Sequence, residues 1–221
     1  MNDFIEIFSS AEPAAISTSV RLLLLLTILS LAPSILILMT SFTRIIIILS
    51  FVRTSLATQQ MPPNQVLIGL ALFLTFFIMT PTFNEVNEQA LTPLFSEEIT
   101  LDEAYDRASA PIKEFMAKHT RQKDLALFMN YAQLDRPESI EDIPLTALVP
   151  AFAISELKTA FQMGFMIFIP FLVIDMAVAS VLMAMGMMML PPVMISLPFK
   201  ILLFVLVDGW YLIAHSILEG F

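Results

Sequence analysis

The chain has 221 residues, 57% hydrophobic and 14% charged, with a mean hydropathy of +0.83 and a formal net charge of −9. That is more apolar surface than one soluble core of this size takes up, so the composition points to an integral membrane protein. The acidic balance, with eleven Lys and Arg spread along the chain, excludes nucleic acid as a partner, and the lack of cysteine excludes disulfides, thiolate metal sites and a cysteine nucleophile.

The first twenty residues contain Asp3, Glu6 and Glu12 but no Lys or Arg, the wrong leading charge for a cleavable secretory signal, so this segment is expected to stay in the mature protein. Residues 22–43 then run without a charge, long enough for a membrane-spanning helix of roughly 20 residues, with a kink predicted at Pro33. Arg44 and Arg53 bracket a further apolar run, and a second segment, 66–83, follows the Pro62-Pro63-Asn64 break. By the positive-inside rule these two arginines put the 53–65 connection in the cytoplasm and the N-terminus outside.

Between 84 and 150 the chain changes character: thirteen of its twenty acidic residues and six of its eleven basic ones fall here, with five prolines. This predicts an acidic helical domain outside the membrane. Its helices are expected near 101–118 and 121–134, where Ile112, Phe115 and Met116, then Leu125, Phe128 and Met129, recur at helical spacing. The two apolar stripes either pack on each other or, through Phe115 and Phe128, face a neighbouring subunit.

The last apolar segments, 161–185 and 193–218, form a predicted hairpin whose tip is MAMGMMMLPPVM, residues 183–194. The chain therefore reads as an all-α polytopic membrane protein with four long hydrophobic helical segments and an acidic insert, divided as 1–83, 84–150 and 151–221. Charges within or beside the apolar segments stand out, because each costs about 2.5–3.5 kcal/mol at a bilayer centre unless it faces protein or water. Glu156 and Lys158 lie at the start of the third segment, Asp175 near its middle, and Lys200 and Asp208 in the fourth. Asp175 and Lys200 fall at similar depth across the turn, which suggests an ion pair within one hairpin or between subunits; the alternative is that each lines a water-filled space. Lys200 and Asp208 share a helix face but stand about 12 Å apart, so each needs another partner.

Tight turns favour small or polar residues, and Met187, Met188 and Met189 are neither. Flexible, polarizable thioethers can close on one another and mould around varied sequences, which suits a gate; alternatively they fill an irregular gap. HExxH, G-x-S-x-G and the P-loop pattern do not occur, and the two histidines, His119 and His215, lie in unrelated segments. No enzyme activity, metal or cofactor is expected, and the energy for any transport must come from elsewhere. A small-solute or ion transporter or channel subunit is the alternative function, although neither internal repeats nor clustered polar ligands support it.

Three stretches carry a family resemblance. PAFAISELKTAFQMGF (150–165) resembles the first signature of the FliP family of flagellar export proteins, shared with counterparts in virulence-associated type III secretion. LPFKILLFVLVDGW (197–210) resembles the second, and the run from 43 to 77 also fits, so the likeness covers nearly the whole chain. It is nearest to members from Gram-positive rod-shaped bacteria; many members from two-membraned bacteria begin with a cleavable signal, which this sequence does not resemble. The resemblance implies a cell-membrane component of the flagellar basal body in which several copies, five being expected, assemble with FliQ and FliR, alongside FlhA and FlhB. Unfolded flagellar proteins would pass through its centre, a methionine loop matching Met187, Met188 and Met189 would close it as a gasket, and charges matching Glu156, Asp175 and Lys200 would hold subunits together. It also implies that much of the helix length stands above the bilayer plane.

Overall fold

The computed structural model describes residues 23, 26, 27, 30, 31, 33–58, 60–135, 137, 139–187 and 189–221. It separates into a unit ending at Ile37 and a larger one, Leu38–Phe221. In the first, the described residues are helical, with exposed Leu23, Leu26, Leu31 and Ile35; the acidic N-terminal segment lies outside the described residues.

Among the described residues of the larger unit every regular element is helical. They are α1 (Phe42–Ser55), α2 (Asn64–Val86), a wide π turn (Asn87–Leu91) leading into the short α3 (Thr92–Phe95), α4 (Leu101–His119), α5 (Gln122–Tyr131), α6 (Leu145–Ala184), α7 (Pro192–Leu206) and α8 (Gly209–Glu219). Two helical stretches, Asn64–Phe95 and Leu145–Ala184, are long and apolar enough to cross a membrane, and the count rises to four if each of two bent pairs forms one span. The chain is thus an all-α polytopic membrane protein.

The axis of the unit is α6. Its 40 residues extend about 60 Å at 1.5 Å per residue, twice the ~30 Å of a bilayer's hydrocarbon core. It begins at Leu145 rather than near Phe161, and runs through Pro150 and Pro170 without ending. On α1 the residues Ile45, Ile48, Leu49 and Val52 recur at i, i+3, i+4 and i+7 and are all buried, which fixes the face it turns toward α2 and α6. α1 runs parallel to α6, with Arg44 beside Glu156 and Phe51 edge-on to Phe161 at 5.4 Å. Gly164 makes that approach possible, since a Cβ there would sit 2.5 Å from the Phe51 ring. α7 returns antiparallel to α6, placing Phe204 6.3 Å from Phe171. In lipid such apolar contacts gain little from water exclusion, so close packing and buried polar pairs must fix the arrangement.

Three expectations change. The charge-free run 22–43 is not one helix to its end: helical residues Pro33–Met39 stop at Thr40 and Ser41, and α1 starts afresh at Phe42. The fourth segment is broken, because α7 and α8 meet at a 63° bend where Asp208 adopts a left-handed φ of 52°. Helical counting across that break therefore fails, and Asp208 does not share a face with Lys200. The α4 and α5 stripes do not mainly pack on each other; Met116, Ile112, Phe115 and Leu125 gather around Leu148 and Phe152 on the first turns of α6. α4 is started by a capping box in which Thr100 and Glu103 satisfy each other's backbone amides.

Candidate functional site

The tip between α6 and α7 is built by backbone rules. Gly186 takes a φ of +76°, and its amide bonds the Met183 carbonyl while the Met187 amide reaches the Leu182 carbonyl, each at 3.0 Å. This pattern closes the end of α6, and only glycine enters its left-handed position without strain. Pro192 then opens α7 with its φ already set for helix. Glycine and proline thus make the turn, leaving the methionines free of that task. Met189 is 98% exposed and Met187 42%, so neither fills a gap within this subunit. Met188 lies outside the described residues. Met176, Met183, Met185 and Met194 are exposed on the same hairpin.

Behind the tip, Lys200 Nζ stands 2.6 Å from Asp175 Oδ2, and the Ser196 hydroxyl donates to Asp175 Oδ1. The pair lies within one hairpin. Lys200 and Ser196 are buried, while the Asp175 side chain keeps 19% exposure. The i, i+4 spacing of Ser196 and Lys200 puts both on one face of α7, and sequence reading overlooked the serine.

Glu156 and Lys158 part company. Glu156 is fully buried and receives two hydrogen bonds from Arg44, from Nε at 2.8 Å and from Nη2. The remaining Arg44 nitrogen, Nη1, donates to the Gly220 carbonyl at 2.6 Å, and the guanidinium carbon lies 3.8 Å from the centre of the Phe221 ring. One arginine thereby fastens α1, α6 and the segment after α8. In the sequence Arg44 is a flanking membrane charge, and its position between two apolar runs is the hint of burial. Lys158 is exposed and faces α5, and Asp208 is exposed at the α7–α8 bend.

Where α5 meets α6, the Ser155 hydroxyl donates to Asp124 Oδ2 at 2.7 Å and accepts the Arg121 amide at 3.1 Å; Arg121 Nη2 also reaches Asp124 Oδ2 at 2.6 Å. Burial pushes the Asp124 carboxyl up, but the Ser155 and Arg121 contacts outweigh it and hold the group below the usual carboxylate range. Phe115 is half-buried and packs on Phe152, with ring centres 6.0 Å apart; Phe128 is half-buried on α5.

His119 sits between the rings of Phe115 and Phe221, at 4.8 and 5.2 Å, and its Nδ1–H donates to the Phe115 carbonyl at 2.8 Å. Burial holds the imidazole below the ordinary histidine value; the carbonyls of Phe115 and Phe221 oppose this, while Arg44 and Lys118 add to it. The fold thus favours neutral His119. The stability this contributes is complete above the unfolded value of about 6.5 and is lost as pH falls through the lower folded value. Between about pH 7.5 and pH 5.5 the melting midpoint of the full chain in detergent should fall more than that of a His119→Gln variant. Equal slopes would remove His119 as the source.

The sequence profile of the FliP family matches residues 25–217. The chain belongs to the FliP family. It is 78% identical to the flagellar biosynthetic protein FliP of Bacillus subtilis (strain 168) over the whole of both chains. The FliP of Pectobacterium carotovorum subsp. carotovorum is 55% identical over 92% of this chain and 79% of its own length, and that of Borreliella burgdorferi is 52% identical over 97% and 85%. This FliP-family chain is therefore a membrane-associated component of the flagellar biosynthesis and export apparatus.

Proposed function

We propose that the chain is a core subunit of the flagellar type III export gate. Several copies, five by the family resemblance, would assemble with FliQ and FliR into a pore at the basal body, next to FlhA and FlhB, through which unfolded flagellar proteins leave the cell. One observation carries the reading: a backbone-defined turn at the end of a 40-residue helix holds exposed methionines that its own subunit does not cover. Brought together around an axis, such side chains can form a soft apolar constriction that excludes water and ions yet yields to a passing polypeptide.

The test uses the complex co-purified with FliQ and FliR and placed in liposomes. Replacing Met187, Met188 and Met189 together with Ala should raise the leak of small ions several-fold while leaving the complex mass, read by native mass spectrometry, unchanged. An intact complex that stays tight would reject the gasket. A stable monomer that ignores FliQ and FliR would favour a small-solute carrier instead.

A further inference from the structure

Three cations meet where α5 joins α6 in a chain of net charge −9. Arg121 precedes α5, Lys123 lies in its first turn, and Lys158 stands one turn of α6 beyond Ser155, whose hydroxyl accepts the Arg121 amide at 3.1 Å and donates to Asp124 at 2.7 Å. Both lysines are exposed. Asp124, the acidic residue between the two lysines' elements, is already engaged by Ser155 and Arg121. Arg121 Nε and Nη1 are buried without a hydrogen-bond partner, so its charge is only partly offset. Like charges gathered on one patch repel, so the two exposed ammoniums favour an anion between them.

The surface that continues from the cluster decides which anion. Phe161, Phe165, Ile169 and Leu172 follow Lys158 along one face of α6 at helical spacing and are 56%, 59%, 43% and 40% exposed. Asp175 points off that face, toward α7. From Lys158 to Ile169 the uncharged stripe covers about 16 Å, close to the ~15 Å half-thickness of a hydrocarbon core. A cationic head above an apolar stripe of that length has the form of a phospholipid's complement.

We propose that Lys123 and Lys158 bind the phosphate of an anionic phospholipid, with Arg121 supporting the charge and the acyl chains lying along Phe161, Phe165 and Ile169. Both ammoniums donate to phosphate oxygens, which relieves their mutual repulsion. The site differs from the methionine tip and from both buried ion pairs.

The full chain, purified in neutral detergent, would be titrated with phosphatidylglycerol, with phosphatidylcholine of the same acyl chains, and with inorganic phosphate, and followed by native mass spectrometry. One phosphatidylglycerol should be retained in preference to phosphatidylcholine. The Lys123→Gln, Lys158→Gln double variant should bind it about 30-fold more weakly, at about 1 kcal/mol for each cation removed. The matching Lys→Arg pair should keep binding, and Phe165→Gln should weaken lipid but not phosphate. Equal retention of both lipids, an unaffected Gln double variant, or inorganic phosphate binding as tightly as lipid with Phe165→Gln silent would each overturn the proposal. So would a lipid-free dimer that the Gln double variant dissociates, since a second copy would then own this face.

Discussion

Replacing Arg44 with Ala is expected to destabilise the chain by about 3–5 kcal/mol, because it leaves the Glu156 carboxylate buried and unpaired. The loss also frees the Gly220 carbonyl and removes the cation from the face of Phe221. A surface ion pair would cost only about 0–1 kcal/mol, so burial sets the scale here. Reversible unfolding in mixed detergent gives the number, and a loss below about 1 kcal/mol would mean that solvent reaches the pair. Converting both partners to apolar residues, Arg44→Met with Glu156→Leu, should recover most of the stability, since no charge then remains to be desolvated. If the double variant is as unstable as the single one, the pair acts through geometry that methionine and leucine cannot supply. Cell abundance and motility should follow the same order, as partly unfolded chains are degraded.

The Lys200→Glu variant should lose assembly and motility, because it sets a second carboxylate against Asp175 at a position only 2% exposed. The expected cost is again about 3–5 kcal/mol, and it falls on the hairpin that carries the methionines. Adding Asp175→Lys should restore function in part. Ser196 can accept a hydrogen bond from the new lysine while its own hydroxyl donates to the Val193 carbonyl, 3.0 Å away. Rescue stays incomplete because lysine is longer than aspartate and the site is closely packed. Motility on soft agar and the mass of the purified complex read the two effects separately. No rescue in either would place the working partner of Lys200 elsewhere, on a neighbouring copy.

The two ion pairs differ in how they could be found. Asp175 and Lys200 are joined by a short turn, so counting ten residues back from Met185 and nine forward from Pro191 brings them to one depth. Hairpin geometry converts sequence distance into spatial register, and the 2.6 Å contact follows from that. Arg44 and Glu156 are 112 residues apart, with an acidic insert between them. No local periodicity links such positions. Asp208 shows the opposite failure: a helical face was extended through a residue whose left-handed backbone ends the helix.

By itself the sequence determined the class of molecule, the apolar segments, the helices of the acidic insert and the methionine turn, since hydropathy, helical period and the Gly and Pro positions are local properties of the chain. It also carried the likeness to the FliP family, whose profile matches residues 25–217. Tertiary structure alone decided that Arg44 is a core residue, that the α4 and α5 stripes gather on the start of α6, that α6 is twice a bilayer's length, and that Lys158 joins Lys123 and Arg121. These depend on which distant surfaces meet, and in an apolar solvent close packing and the pairing of buried charges select among helix arrangements that hydropathy leaves equal.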